Sequence, residues 1–260
     1  LVYPELASQT GGLRLQERIT KGSLPSMIDS PDYKDELKSY VGGYLKEEIQ
    51  AESLVRNIGN FSRFLEVAGL CNAEQINFTE VGNDCGVPPR TVKDFFTLLE
   101  DTLVGRILEP FSKTKKRKSV QTPKFYWFDI GVCNAICSRF DYGPATPEYG
   151  KAFETLVYLE LRAWLSYRRR DEPLRFWRSQ SRLEVDFTLG DQVALEVKAK
   201  SNVTEKDLSG LRALKEEGIF KRCIVVSLES LPRVTEDNIE ILPIEHFLKS
   251  LWADEVLGTL

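Results

Sequence analysis

With 260 residues, 42% of them hydrophobic and 28% charged, the chain has the composition of one large or two ordinary globular domains, not of a disordered segment. Its formal net charge of −4 excludes a surface coated uniformly for nucleic acid, and no apolar run of about eighteen residues exists to form a transmembrane helix. Five cysteines with a lone histidine, His246, and no Cys-x2-Cys fit a reduced, cytoplasmic protein better than a disulfide framework or a zinc site.

Residues 1–56 read as a linker and helical segment, with Ser30-Pro31-Asp32 capping a helix over 34–55. Residues 57–144 read as a helix over 60–70, a short helix over 79–85 opened by Thr79, and a turn at Gly86-Val87-Pro88. A third helix then runs from Pro88 or Pro89 to 101, followed by strands over 103–110 and 124–128. This is the order of a winged helix-turn-helix, in which the later helix sets its N-terminal residues against the bases. Arg90, Thr91 and Lys93 occupy that start, and the basic run Lys113, Lys115, Lys116, Arg117 and Lys118 lies where a wing would be. Two readings stay open: these residues bind DNA, or the winged helix docks a protein and the basic run is a solvated loop.

Residues 145–260 alternate strand and helix. A helix over 149–170 buries Phe153, Leu156, Val157, Leu161 and Trp164 at helical spacing. Arg168, Arg169 and Arg170 form a second basic run, with Arg175, Arg178 and Arg182 following. Strands follow over 174–177, 184–189 and 193–199, then a helix over 204–218 opened by Thr204 and closed by Gly218. An apolar strand over 223–228 is fit for burial on both faces, and a strand over 239–242 and a helix over 244–252 end the chain.

The most specific pattern is the hairpin Leu183-Glu184-Val185-Asp186-Phe187-Thr188-Leu189, Gly190-Asp191, Gln192-Val193-Ala194-Leu195-Glu196-Val197-Lys198. Both arms alternate as half-buried strands do, and Gly-Asp supplies the turn. Val185, Phe187 and Leu189 share a face with Val193, Leu195 and Val197 only if 187 pairs with 195. Asp186 then falls opposite Glu196, and Glu184 opposite Lys198. Like charges directly opposite are destabilising, so the pair asks for a reason. One reason is a hard divalent cation, Mg²⁺ or Mn²⁺, held by the two carboxylates with waters and a phosphate, while Lys198 orients water or offsets phosphate charge. The alternative is a solvated face on which Glu184 pairs with Lys198 and the two acids splay apart.

At these residues the chain resembles the PD-(D/E)XK nuclease superfamily, and its Glu-Val-Asp … Glu-Val-Lys wording is similar to archaeal Holliday-junction resolvases and RecB-type nucleases. Gly150-Lys151-Ala152-Phe153-Glu154 resembles that superfamily's first motif. With the winged-helix order before it, the resemblance implies a restriction-endonuclease-like mixed-sheet domain after the helical winged-helix-like one, α+β or α/β in class. It implies catalytic roles for Glu154, Asp186, Glu196 and Lys198, with Asp186 and Glu196 as the metal ligands. Val185 stands where the superfamily's leading proline would be.

A second resemblance spans nearly the whole chain, to the C-terminal region of a prokaryotic AAA+ ATPase family. It rests on Gly22-Ser23-Leu24-Pro25, Tyr40-Val41-Gly42-Gly43-Tyr44-Leu45-Lys46-Glu47-Glu48-Ile49, Phe61-Ser62-Arg63-Phe64-Leu65, Thr91-Val92-Lys93 with Leu98-Leu99-Glu100, and Pro123-Lys124-Phe125-Tyr126-Trp127-Phe128-Asp129-Ile130-Gly131. No Gly-x4-Gly-Lys-Ser/Thr is present, so no phosphate cradle for ATP. The chain begins Leu1-Val2-Tyr3-Pro4-Glu5-Leu6 and reads as a fragment whose ATP would bind only in a missing N-terminal half. DNA and that ATPase half are the expected partners, with no membrane. The expected function is a DNA-handling module, either a metal-dependent nuclease or a non-catalytic module with an inactive nuclease fold.

Overall fold

A computed structural model, describing residues 1–10, 14–45 and 58–257, builds the chain around two sheets, one of three strands and one of six. The class is mixed α and β. Leu1, Arg14–Ile107 and Thr122–Gly143 form one unit; Val2–Leu13, Leu108–Gln121 and Pro144–Leu260 form the other. The second unit resumes at Pro144, beside the start at 145 read from the sequence. The 56/57 boundary, the expected helix beyond residue 45 and Lys46-Glu47-Glu48-Ile49 lie outside the described residues.

After α1 (Tyr3–Thr10) of the second unit, the first unit contains α2 (Leu15–Lys21), α3 (Pro25–Ile28) and α4 (Tyr33–Ser39), which continues as a π-helical turn over Tyr40–Leu45. α5 (Ile58–Leu70), β1 (Glu74–Gln75), α6 (Phe78–Cys85), α7 (Pro89–Asp101), β2 (Gly105–Leu108), β3 (Lys124–Trp127) and α8 (Ile130–Ile136) follow. The short helix α6 is opened by Asn77, not Thr79: the Asn77 side chain accepts from Thr79 N–H at 3.1 Å and Glu80 N–H at 3.3 Å. Gly86 ends α6 at φ 69°, and Pro89 opens α7 at a position where a missing N–H costs nothing. Phe64 and Phe125 meet Phe96 edge-on at 5.0 and 4.9 Å between centroids, tying α5, α7 and β3 into one core.

Asp129 is a buried acceptor in this unit. It caps α8 by accepting from Val132 N–H at 3.0 Å, and it also accepts from Ser23 N–H at 2.7 Å. Burial holds its carboxyl above the usual aspartate range, against those backbone donors. Asp129→Ala leaves both donors without an acceptor. It should destabilise this unit by about 2–3 kcal/mol, read as a lower urea midpoint at unchanged slope.

The sheet of the first unit is ordered β1-β3-β2. The expected wing between β2 and β3 is not part of it. Residues 108–121 belong to the second unit, where Phe111 N–H donates to the Phe176 carbonyl at 2.6 Å and Val120 N–H to that of Arg178 at 2.9 Å. The reason is that backbone donors facing an edge strand find partners there.

The second unit contains α9 (Pro147–Tyr167), β4 (Leu174–Arg178), β5 (Glu184–Leu189), β6 (Val193–Lys198), α10 (Ser209–Lys215, led in by a 3₁₀ turn over Glu205–Leu208), β7 (Arg222–Ser227), β8 (Arg233–Val234), β9 (Ile239–Pro243) and α11 (Ile244–Trp252). The sheet order is β4-β5-β6-β7-β9-β8; β6-β7 and β7-β9 are parallel and the other pairs antiparallel. Leu208, Leu211 and Leu214 pack with Ala194, Cys223, Val225, Ile239 and Ile241 under α10. The intervening Leu195, Ile224 and Val226 are buried too, and Tyr158 of α9 stacks on Phe187. Helices therefore cover both faces, as parallel strands require. The expectation of half-buried strands is corrected: Asp186, Thr188, Ala194 and Glu196 are all buried.

Candidate functional site

The β5–β6 turn follows the alternation: 187 pairs with 195, 188 with 194 and 189 with 193. Gly190, at φ 53°, supplies the turn. The ladder then stops. On its other side β5 carries a bulge, since Arg175 pairs with Thr188 but Trp177 with Val185, leaving Asp186 and Phe187 opposite Phe176 alone. The extra residue breaks the single apolar face expected for Val185, Phe187 and Leu189, because Val185 joins Trp177 and Ala194 in the cluster under α10. It also frees Asp186 from ordinary pairing: its Oδ2 accepts from Val197 N–H at 2.8 Å.

Glu196 and Lys198 share one end of β6. The Lys198 ammonium donates to Glu196 Oε1, while Glu196 Oε2 is buried without a hydrogen-bond partner. Burial, then the charge of Asp186, holds the Glu196 carboxyl well above the usual range; Lys198 opposes this and Glu184 adds to it. Burial pulls the Lys198 ammonium down, but Glu196, Asp186 and Glu154 outweigh it and leave it raised. Glu154, half-buried on α9, thus acts on Lys198 electrostatically. Glu184 pairs with Arg178 at 3.1 Å, so the expected alternative of a Glu184–Lys198 pair is not what forms. The signal for Arg178 was its place in a basic run, which did not reveal its partner.

The charge state of Glu196 has a thermodynamic consequence. Its folded pKa exceeds its unfolded value, so the folded state binds the proton more tightly, and stability is lost as pH rises from about 4.3 through the raised value. Glu196→Gln removes that loss. The difference in Tm between E196Q and the unaltered chain should therefore grow as pH rises from about 4 to 7. A difference that stays flat across that range would place the penalty elsewhere.

Among the described residues no group of three or more His, Cys, Asp or Glu side chains is set to hold a metal ion. Two carboxylates suffice for Mg²⁺ or Mn²⁺ when waters and a phosphate complete the shell. The orphaned Oε2 of Glu196 beside Asp186 fits that role, since a buried acceptor without a donor is what a cation satisfies.

The remaining sequence candidates lie elsewhere. Arg90 and Lys93 are exposed and Thr91 half-exposed on α7 of the first unit, on a helix that also exposes Asp94 and Asp101. Lys115, Lys116, Arg117 and Lys118 belong to the second unit. Their backbone is engaged there: Lys115 and Lys116 N–H donate to Glu217 Oε2 at 2.7 and 2.9 Å, and Arg117 N–H to Oε1 at 3.0 Å.

The fold thus places an acid pair and a lysine at a bulged hairpin of a mixed α/β sheet, and family comparisons assign the chain. Residues 13–142 match a domain of unknown function, DUF8612, and the chain belongs to that family. Residues 149–247 match a second domain of unknown function, DUF4143, which occurs in the C-terminal region of AAA ATPase-associated proteins. Two uncharacterised proteins, from Mycobacterium tuberculosis and Mycobacterium bovis, are each 22% identical over 251 residues, covering 92% of this chain and 55% of theirs. The chain thus spans about half the length of the curated relatives it matches. No solved structure matches it. Among the described residues no helix is long and apolar enough to cross a membrane.

Proposed function

We propose that the second unit is a PD-(D/E)XK-type phosphodiesterase that cuts DNA with Mg²⁺ or Mn²⁺, joined to a winged-helix-like unit at the C-terminal side of an AAA+ ATPase. The observation that carries this reading is the buried, partnerless Oε2 of Glu196 beside Asp186, with Lys198 alongside. The match to a domain found in C-terminal regions of AAA ATPase-associated proteins supports the ATPase half as partner. The match covers only 55% of the two mycobacterial relatives, which leaves room in them for such a half.

When bound, the cation would polarise the scissile phosphate and activate water. Asp186 and Glu196 would hold it, and a cation between them would relieve their mutual repulsion. Lys198 would then serve to orient the attacking water or to offset charge on the phosphate. Glu154 tunes Lys198 and completes the acidic set.

A second reading has its own observation. Acidic residues outnumber basic ones in the first unit, whereas the two balance in the second. The α7 surface, which exposes Asp94 and Asp101 on the same helix as Arg90 and Lys93, then suits a protein-docking winged helix beside an inactive nuclease fold. One experiment separates the readings. Purified chain is incubated with single-stranded, duplex and branched DNA, with Mn²⁺, with Mg²⁺ and with chelator. Metal-dependent products support the enzyme; none from any substrate, with no rise in Tm on adding Mn²⁺, leaves the docking module.

A further inference from the structure

Three consecutive backbone N–H groups, of Lys115, Lys116 and Arg117, converge on the one carboxylate of Glu217. Burial raises the Glu217 carboxyl, and these donors more than offset that, leaving it below the usual glutamate range. Two side chains of the segment are turned into the same clamp. Arg117 donates to the Ala213 carbonyl at 2.9 Å and to Glu216 Oε2 at 2.7 Å; the Lys116 ammonium donates to the Glu216 carbonyl at 2.6 Å. The ends of the segment are stitched to β4 and the turn after it: Phe111 N–H bonds the Phe176 carbonyl, and Gln180 N–H bonds that of Lys118 at 3.1 Å. A run that would be a loose polybasic loop in isolation is thereby held along its length.

Four lysines on it are exposed; Lys113 pairs with Asp191 and Lys116 is held by the Glu216 carbonyl, and Lys115 and Lys118 remain. Lys118, through Gln180, adjoins the turn that carries exposed Arg182, and that turn leads into β5 and Asp186. We propose that Lys115, Lys118 and Arg182 form a rail for a nucleic-acid phosphate backbone on the second unit, with Glu217 as its positioning residue. This rests on the nucleic-acid reading above and moves the contact surface away from α7. Cations bind phosphates by releasing counterions, which is insensitive to base sequence. Affinity gains when their backbone is ordered before binding, because that ordering cost is then already met. Glu217 serves this purpose although its own charge repels the ligand.

That opposition of sign makes the test. The full chain carrying Asp186→Asn, with chelator, is titrated against fluorescein-labelled duplex DNA, single-stranded DNA and RNA at several salt concentrations. K115A, K118A and R182A should each weaken binding and reduce the salt slope by about one. Glu217→Gln removes a negative charge yet should weaken binding by about two- to tenfold. In E217Q the amides of 115–117 should also exchange faster. Glu216→Gln removes the same charge next door but keeps the three N–H contacts, and should bind as tightly as the parent or more tightly. The rail is overturned if E217Q binds as well as E216Q, if R90A and K93A cost as much as K115A and K118A, or if the parent binds none of the three probes. Cleavage by the unaltered chain alongside any of these results would sink the rail and leave the nuclease reading standing. Rail behaviour without metal-dependent cleavage would do the reverse.

Discussion

Asp186→Asn should abolish metal-dependent DNA cleavage while the second unit stays folded. Asparagine keeps an oxygen that can accept from Val197 N–H, so the contact that ends the β5–β6 ladder survives. It removes one of the two negative charges that would hold the cation. Electrostatic groups aimed at a reacting phosphate are commonly worth a hundredfold or more, so cleavage should fall by at least about 10²-fold. Lys198→Ala should slow cleavage by a similar factor, about 10², yet leave Mn²⁺ binding in calorimetry intact or tighter, since Lys198 competes for Glu196. The pair of results is diagnostic. If cleavage persists undiminished in D186N, the chemistry lies elsewhere; if K198A loses the metal as well, the lysine is part of the scaffold.

Gly210→Ala should be the most damaging single methyl in the second unit. A Cβ on Gly210 would lie 1.8 Å from the carbonyl oxygen of Glu184 and 2.9 Å from its carbonyl carbon. The obstacle is backbone, not the end of a flexible side chain, so α10 must lift from β5 or β5 must bend. Overpacking of this kind costs about 3 kcal/mol or more. For a domain of this size that is a fall in Tm of roughly 6–12 °C. The displaced residue is two positions before Asp186. A G210A chain that remains folded at low temperature should therefore also weaken the coupling between Asp186 and Glu196, and with it part of the pH-dependent gain expected of E196Q, the part due to burial remaining. A Tm within a degree of the parent would mean that α10 is seated differently.

Short-range pattern determined a good part of this protein. Alternation with Gly190-Asp191 sets the register from 187 to 189, because side chains two apart on a strand must share a face. The 244–252 helix and the 184–189 strand stand where periodicity puts them, and helical spacing marks Phe153, Leu156, Val157, Leu161 and Trp164 as buried. The Thr204 cap stands where the sequence puts it, whereas Asn77 takes the place of Thr79 two residues away. α8 and the two-residue strands β1 and β8 left no readable signal, being short and, for α8, buried all round.

Tertiary structure decided the rest, and in each case the deciding group is distant in sequence. The bulge at Asp186–Phe187 exists because β4 pairs across it, and nothing in the even alternation of 183–189 announces an extra residue. The burial of Asp186 and Glu196, and hence the raised Glu196 carboxyl, comes from helices laid over both faces of the sheet. The basic run between two strands reads locally as a wing. It is instead drawn to an edge strand about sixty residues on and to a carboxylate about a hundred residues on, because unpaired N–H groups go to whichever acceptor the fold presents. Local sequence specifies which groups need partners; only the assembled chain specifies which partners they find.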